Sequence, residues 1–148
     1  MEEEYGREFF VILGGVIMLN IGLIGESEVV VTKDNTAKAL KSGELEVFAT
    51  PAMIALMEES ACNCIAGHLE KGQSSVGTNL NIAHVSPSPV GMKVTCTATL
   101  IAIDNRALKF EIEARDEKGI IGKGSHSRFI VDKIKFQNKA DSKIWLKM

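Results

Sequence analysis

Along residues 47–72, VFATPAMIALMEESACNCIAGHLEKG, apolar side chains fall on nearly every side of a 3.6-residue repeat. That density predicts a long helix largely covered by the rest of the fold. Thr50-Pro51 supplies the start, a good N-cap followed by a proline suited to the first helical position. Gly67 and Gly72 bracket the end, where His68 and Lys71 suit the C-terminal dipole. Beyond Gly72 the period becomes two. Ser75 to Val85 sets Val76, Thr78, Leu80, Ile82 and His84 on one face of a strand, which Pro87 and Pro89 then break. Met92 to Ile103 is a second long strand, with Val94, Cys96, Ala98, Leu100 and Ala102 on one side. Leu108, Phe110, Ile112 and Ala114 alternate with Lys109, Glu111, Glu113 and Arg115, the pattern of a sheet with one wet face. Ile120 to Val131 is the last strand, with Gly122 and Gly124 marking close backbone approach or a bulge.

Ahead of the helix, Glu28 to Thr32 is a short β-branched strand, and Lys33 to Glu46 reads as loop or a short helix near 35–41. From Asp132 the tail is polar apart from Ile134, Phe136 and Ile144-Trp145-Leu146. The order is therefore strand, long helix, then four strands in tight succession. That predicts an α+β domain in which a mostly antiparallel sheet covers one helix.

The N-terminus departs from this pattern. Phe9 to Gly25 carries no charge over 17 residues. It is short for a membrane span and holds four glycines and Asn20. It follows the acidic start MEEEYGRE, unlike a secretory signal. A third reading takes residues 1–17 as untranslated leader. Gly14-Gly15 can be encoded by a purine-rich ribosome-binding sequence just before Met18, which makes 18–148 the domain and 1–17 an extension of separate status. If 1–17 are translated, a membrane-surface segment is the next reading. N-terminal mass analysis decides between them: a peptide containing Tyr5 removes the leader reading.

With 148 residues, 45% hydrophobic and 24% charged, the chain has the length and balance of one globular domain. A net charge of −2 argues against a nucleic-acid partner. Cys62, Cys64 and Cys96 make an odd count without metal-ligand spacing, which predicts reduced, buried thiols in a cytoplasmic protein. No GxSxG, Walker or GxGxxG motif is present, no metal is called for, and no feature requires a cofactor.

Two carboxylates stand out. At helical spacing Glu58 shares a stripe with Ile54, Ala61 and Ile65, whereas Glu59 shares one with Ala52, Leu56 and Asn63, a line more tolerant of polarity. A carboxylate on an apolar stripe is costly without a partner, and such groups often mark a site. The plainer alternatives are a polar cavity or a subunit interface. His84 closes an apolar strand face, where a histidine is more often structural, and Thr50 taken alone is a cap.

The stretches VFATPAMIALMEESAC, SVGTNLNIAHVSPSPVG and GKGSHSRFIV resemble the hotdog-fold thioesterases, specifically the fluoroacetyl-CoA thioesterase-like branch. The resemblance spans roughly Ile21 to Val131. It implies a long central helix against a curved antiparallel sheet, a homodimer with acyl-CoA bound near the subunit interface, and hydrolysis of acyl-CoA to acid and CoA. Pairing of dimers into tetramers stays open, and no membrane partner is expected. By its motifs Thr50 matches the catalytic threonine of V-F-A-T, Glu58 the glutamate of L-M-E, and Gly77, Thr78 and His84 the G-T-x5-H pattern. A closing G-T-H-x-R pattern is matched by Gly124, His126 and Arg128, with Ser125 in place of threonine. The implied roles are Glu58 as nucleophile or general base, Thr50 orienting Glu58 or a water, His84 donating to the carbonyl oxygen or moving the proton, a backbone N–H near Gly77 for the oxyanion, and Arg128 holding the site or the CoA. Gly43-Glu44-Leu45-Glu46 lacks the aromatic lid residue expected of a fluoroacetate-selective enzyme, and Pro51-Ala52 replaces a small-then-bulky pair. Both favour a short or medium acyl-CoA. The alternative is a non-catalytic acyl-CoA-binding dimer, a sensor or carrier.

Overall fold

The computed structural model describes residues 19–145, together with the backbone of two short strands at 10–12 and 15–17. Those strands, β1 (Phe10–Ile12) and β2 (Gly15–Ile17), pair antiparallel. Residues 1–9, 13, 14, 18 and 146–148 lie outside the described set, and the leader reading falls mostly on them. The end of the apolar run belongs to the domain: Leu19 is buried, and β3 runs Ile24–Val30. Among the described residues no helix is long and apolar enough to cross a membrane.

α1 (Thr50–Ile65) runs on into a 3-10 turn at Ala66–His68. β4 (Gln73–His84), β5 (Lys93–Asp104), β6 (Ala107–Asp116) and β7 (Gly119–Asp132) follow, then α2 (Lys133–Trp145). Five strands form one antiparallel sheet in the order β3-β5-β6-β7-β4, with α1 packed on one side. This is the hotdog arrangement. The hairpins follow their turn chemistry. Asn105 takes φ 56° between β5 and β6. Between β6 and β7, Asp116 Oδ1 accepts from the amides of Lys118 and Gly119.

Cross-strand rows define the helix-facing side. Gly25, Ala98, Ile112, Gly124 and Ile82 form one row, and Ser27, Cys96, Ala114, Gly122 and His84 the next. Leu100, Phe110, His126 and Leu80 form a third, and Leu108, Arg128 and Gly77 a fourth. Onto this surface α1 buries Met53, Leu56, Met57, Ser60, Ala61, Cys64 and Ile65, a continuous helical stripe. It approaches β3 closely at Gly25, where a Cβ would overlap the backbone of Ser60 and Cys64. Polar bonds fix the approach: Ser27 Oγ donates to the Leu56 carbonyl and Asn63 Nδ2 to the Glu26 carbonyl, both at 2.7 Å. All three cysteines are free, with Cys64 and Cys96 buried and Cys62 partly so.

Several expectations are corrected. The first strand of the domain sits earlier than Glu28–Thr32, because Gly25 and Ser27 face the helix while Val31 leaves the ladder to bond Met92. Of the two readings of 35–41, the loop holds and the short helix does not: the segment is a series of turns tied by Thr36–Phe48 pairing. Leu56 belongs to the core, not to a polar-tolerant line. A bulge between Gly77 and Asn79 reverses the facing of β4. Gly77 before it and Leu80, Ile82 and His84 after it face the helix, so Val76 lies on the opposite side, opposite Phe129. The tail folds as α2, which the absence of a wide apolar stripe concealed; it has no buried residue.

Candidate active site

The start of α1 is fixed by the chain before it. Phe48 is buried and its amide donates to the Ser88 carbonyl, while Val47 bridges Pro89 in the loop after β4. One turn into the helix, Met53 lies against Gly122, where a Cβ would come within 2.7 Å of its sulfur. His84 is the cross-strand partner of Gly122. These contacts bring Thr50 to His84, with Thr50 Oγ1 2.7 Å from His84 Nδ1. The hydroxyl is thereby occupied, and no side-chain cap bond is made at the helix start; Ala49 stands at the cap position. The expected threonine cap is thus replaced by a threonine–histidine pair. Burial holds the His84 imidazole below its usual range, partly offset by the nearby Ser86 backbone, which favours the protonated ring. Its Nε2 is buried without a partner among the described residues.

Two turns along the helix lies a second group. Arg128 Nη1 donates to Glu58 Oε2 at 3.2 Å and to His126 Nε2 at 3.1 Å. Arg128 is itself clamped, its Nε donating to Ser75 Oγ at 2.8 Å and its Nη2 to the Ser75 carbonyl at 3.0 Å. Gly77 completes the group: a Cβ there would run into Glu58 Oε2 and come within 3.1 Å of His126 Cε1. The Glu58 side chain is 36% exposed, so the carboxylate is both ion-paired and open to solvent. This differs from the apolar setting that its stripe suggests. The stripe lies at the margin of the buried face, and Arg128 reaches it from the core side. Glu59, one residue on, is exposed.

The structure therefore brings Thr50 to His84, and Glu58 to Gly77 and Arg128. It does not join the two groups within one chain. Eight residues of helix separate Thr50 from Glu58, about 12 Å of rise, and His84 and Gly77 stand three rows apart on the sheet. Thr50 bonds His84 rather than Glu58. Sequence reasoning gave His126 little weight and missed Ser75. The signal for His126 was available: by period two, His126 and Arg128 share the face of Gly122, Gly124 and Ile130, which places two polar groups on the core side of the last strand.

Residues 31–134 match the family model of the fluoroacetyl-CoA-specific thioesterases. The fluoroacetyl-CoA thioesterase of Streptantibioticus cattleyicolor is 38% identical over 98 residues, covering 66% of this chain and 70% of the relative. The chain belongs to this family. A crystal structure of the fluoroacetyl-CoA thioesterase FlK superposes with a TM-score of 0.81 at 32% identity, over 84% of this chain and 97% of that one. A thioesterase-superfamily protein of Thermus thermophilus does so with a TM-score of 0.78 at 26% identity, over 86% and 96%. The chain is an acyl-CoA thioesterase of the hotdog superfamily.

Proposed function

We propose that this enzyme hydrolyses a short or medium acyl-CoA in the cytoplasm as a homodimer, with Glu58 as the reacting carboxylate. The observation that carries this reading is the state of Glu58. It is a carboxylate held through one oxygen by a clamped arginine, beside a glycine that admits close approach, at a solvent-open margin. A carboxylate so placed takes a proton from water attacking the thioester carbon, or attacks that carbon itself. Either way the C–S bond breaks and CoA leaves as a thiolate that is protonated to the thiol. The water route releases the acid directly, whereas direct attack leaves the acyl group on Glu58 as an anhydride that a water then hydrolyses to the acid and free Glu58. Oxygen-18 from labelled water found in Glu58 after a single turnover marks the anhydride route.

The Thr50–His84 pair supplies what Glu58 does not. Partial burial favours the neutral form of His84, and its Nε2 has no partner among the described residues, which suits a donor to the carbonyl oxygen or a carrier of the leaving-group proton, with Thr50 fixing the ring. Backbone N–H groups near Gly77 and the Arg128 guanidinium are the further binding groups. β4 is an edge strand of the sheet, 12 residues long with Leu80 39% exposed, a surface suited to pairing with a second copy. Two copies of one strand paired antiparallel run in opposite directions. The His84 end of one subunit then lies toward the Gly77 end of the other, so that each complete site combines Glu58 with His84 of the partner subunit.

Among relatives, FlK has been solved with acetyl-CoA as a threonine-to-serine variant, and with fluoroacetate and CoA as a phenylalanine-to-alanine variant. Those ligands support a small acyl group here too. The absence of an aromatic at 43–46 favours plain acyl chains over fluoroacetyl. The test is a panel of acyl-CoAs from acetyl to decanoyl, assayed for free-thiol release by wild type and Glu58→Ala. Turnover by wild type, lost by orders of magnitude in Glu58→Ala, is expected. Tight acyl-CoA binding without thiol release would instead identify a carrier or sensor.

A further inference from the structure

His126 is fully buried and is bonded from both sides by groups of fixed polarity. An arginine N–H only donates, so His126 Nε2, 3.1 Å from Arg128 Nη1, carries a lone pair. A backbone carbonyl only accepts, so His126 Nδ1, 2.8 Å from the Asn79 oxygen, carries the hydrogen. The ring is thus neutral and in one tautomer. Asn79 is the first residue past the β4 bulge, and Gly77 the last before it. Phe110 lies against the ring with centroids 6.2 Å apart. Burial, together with the Arg128 charge, disfavours the protonated ring, while Asn79 and Glu58 partly offset this.

We propose that His126 is a positioning residue for hydrolysis. Its Nε2 lone pair sets the direction of the Arg128 guanidinium, so that Arg128 holds Glu58 through Oε2 and leaves Oε1 to the reaction. Two features require the lone pair. Both hydrogens of Arg128 Nη1 are committed, one to Glu58 and one to His126, and Ser75 holds the other side of the fork. Without the acceptor at His126, one Nη1 hydrogen loses its buried partner and the guanidinium is held from the Ser75 side alone, so that its Nη1 end can tilt off Glu58. With a proton on Nε2, that atom, 3.9 Å from Glu58 Oε2, competes with Arg128 for the same oxygen. The proposal rests on Glu58 as the reacting carboxylate.

Two amide substitutions separate positioning from packing. His126→Asn keeps a donor near Nδ1 for Asn79 and loses the acceptor for Arg128. His126→Gln places an amide oxygen near Nε2 and loses the donor. His126→Asn is expected to lower kcat by about 10- to 100-fold with KM within about threefold, the scale of a misplaced catalytic group. His126→Gln is expected to regain about tenfold over His126→Asn in kcat, although it is the less thermally stable of the two. Equal loss of kcat in both, or kcat that follows thermal stability, overturns the proposal. Glu58→Gln, assayed alongside, tests the underlying reading: if it turns over like wild type, both readings fall. Nitrogen-15 shifts of the wild-type imidazole give a check that needs no variant to fold. They are expected to show His126 protonated on Nδ1 alone at neutral pH, and a proton on Nε2 overturns the assignment.

Discussion

Glu58 and Glu59 are adjacent in the chain and separated by their surroundings. Glu59 faces solvent, whereas Glu58 meets Arg128 from β7 and Gly77 from β4. Substituting Glu59→Gln is expected to leave kcat near wild type, whereas Glu58→Ala lowers it by about 10²- to 10⁴-fold, the range of a lost acid–base group. Gly77→Ala probes the same carboxylate from the other side. The added methyl displaces the flexible end of Glu58, driving Oε2 off Arg128, and shifts the edge of the His126 ring by only a few tenths of an ångström. A fall in kcat of about tenfold or more is expected with little change in thermal midpoint; a large loss of stability at unchanged kcat would contradict it. Two histidines, His126 buried and His84 partly buried, fix a pH dependence of stability. His84 and His126 both titrate below the 6.5 of a free imidazole, each chiefly through burial. Above that value both are neutral in the folded and unfolded chain. As pH falls below it, the unfolded chain takes up protons first, so stability drops until the folded pKa values are passed. Urea midpoints are expected to decline from pH 7 toward pH 5, and a flat or rising profile over that span would refute this.

At the scale of elements, α1 packs backbone to backbone on β3. Gly25 is in contact with the helix backbone itself, which cannot move aside as a side chain can. Gly25→Ala must push α1 from the sheet and is expected to cost about 1–3 kcal/mol or more, read as a lowered urea midpoint. Met57→Ala, a fully buried side chain on the same helix, is expected to cost about 2–5 kcal/mol. Met57 lies on an element that the density of apolar residues made legible. The helix from Thr50 and the strands through Cys96, Phe110 and Ile130 follow directly from period and turn chemistry. Elements whose logic is tertiary were less legible. β3 starts at Ile24 because Gly25 and Ser27 face the helix, and neither residue is apolar enough to show a strand face. The β4 bulge is one extra residue, and one residue reverses which side chains face in. For the candidate site, motifs named Thr50, Glu58, Gly77, His84 and Arg128, but not that Thr50 and His84 form one group and Glu58, Gly77 and Arg128 another. That division depends on helix rise and strand register, which appear only once the elements are assembled.

At the scale of the whole molecule, the separation of the two groups makes a quaternary prediction. One chain holds a carboxylate clamp at one end of β4 and a threonine–histidine pair at the other. If β4 pairs with its copy about a two-fold axis, the opposite ends meet, and each dimer carries two composite sites. Light scattering is then expected to give twice the 16.1 kDa of one chain. Mixed dimers decide whether the sites are shared. Glu58→Ala and His84→Ala homodimers are each expected to be inactive. In a heterodimer of the two, isolated through different affinity tags, one site combines both substitutions and the other combines the intact Glu58 of one subunit with the intact His84 of its partner. Such a heterodimer is expected to recover about half the wild-type rate per dimer. Sites contained within single chains would leave it as inactive as its parents, because neither chain then carries both groups. Recovery therefore cannot arise from dimerisation alone. It requires that the Gly77 end of one strand and the His84 end of the other enclose the same thioester.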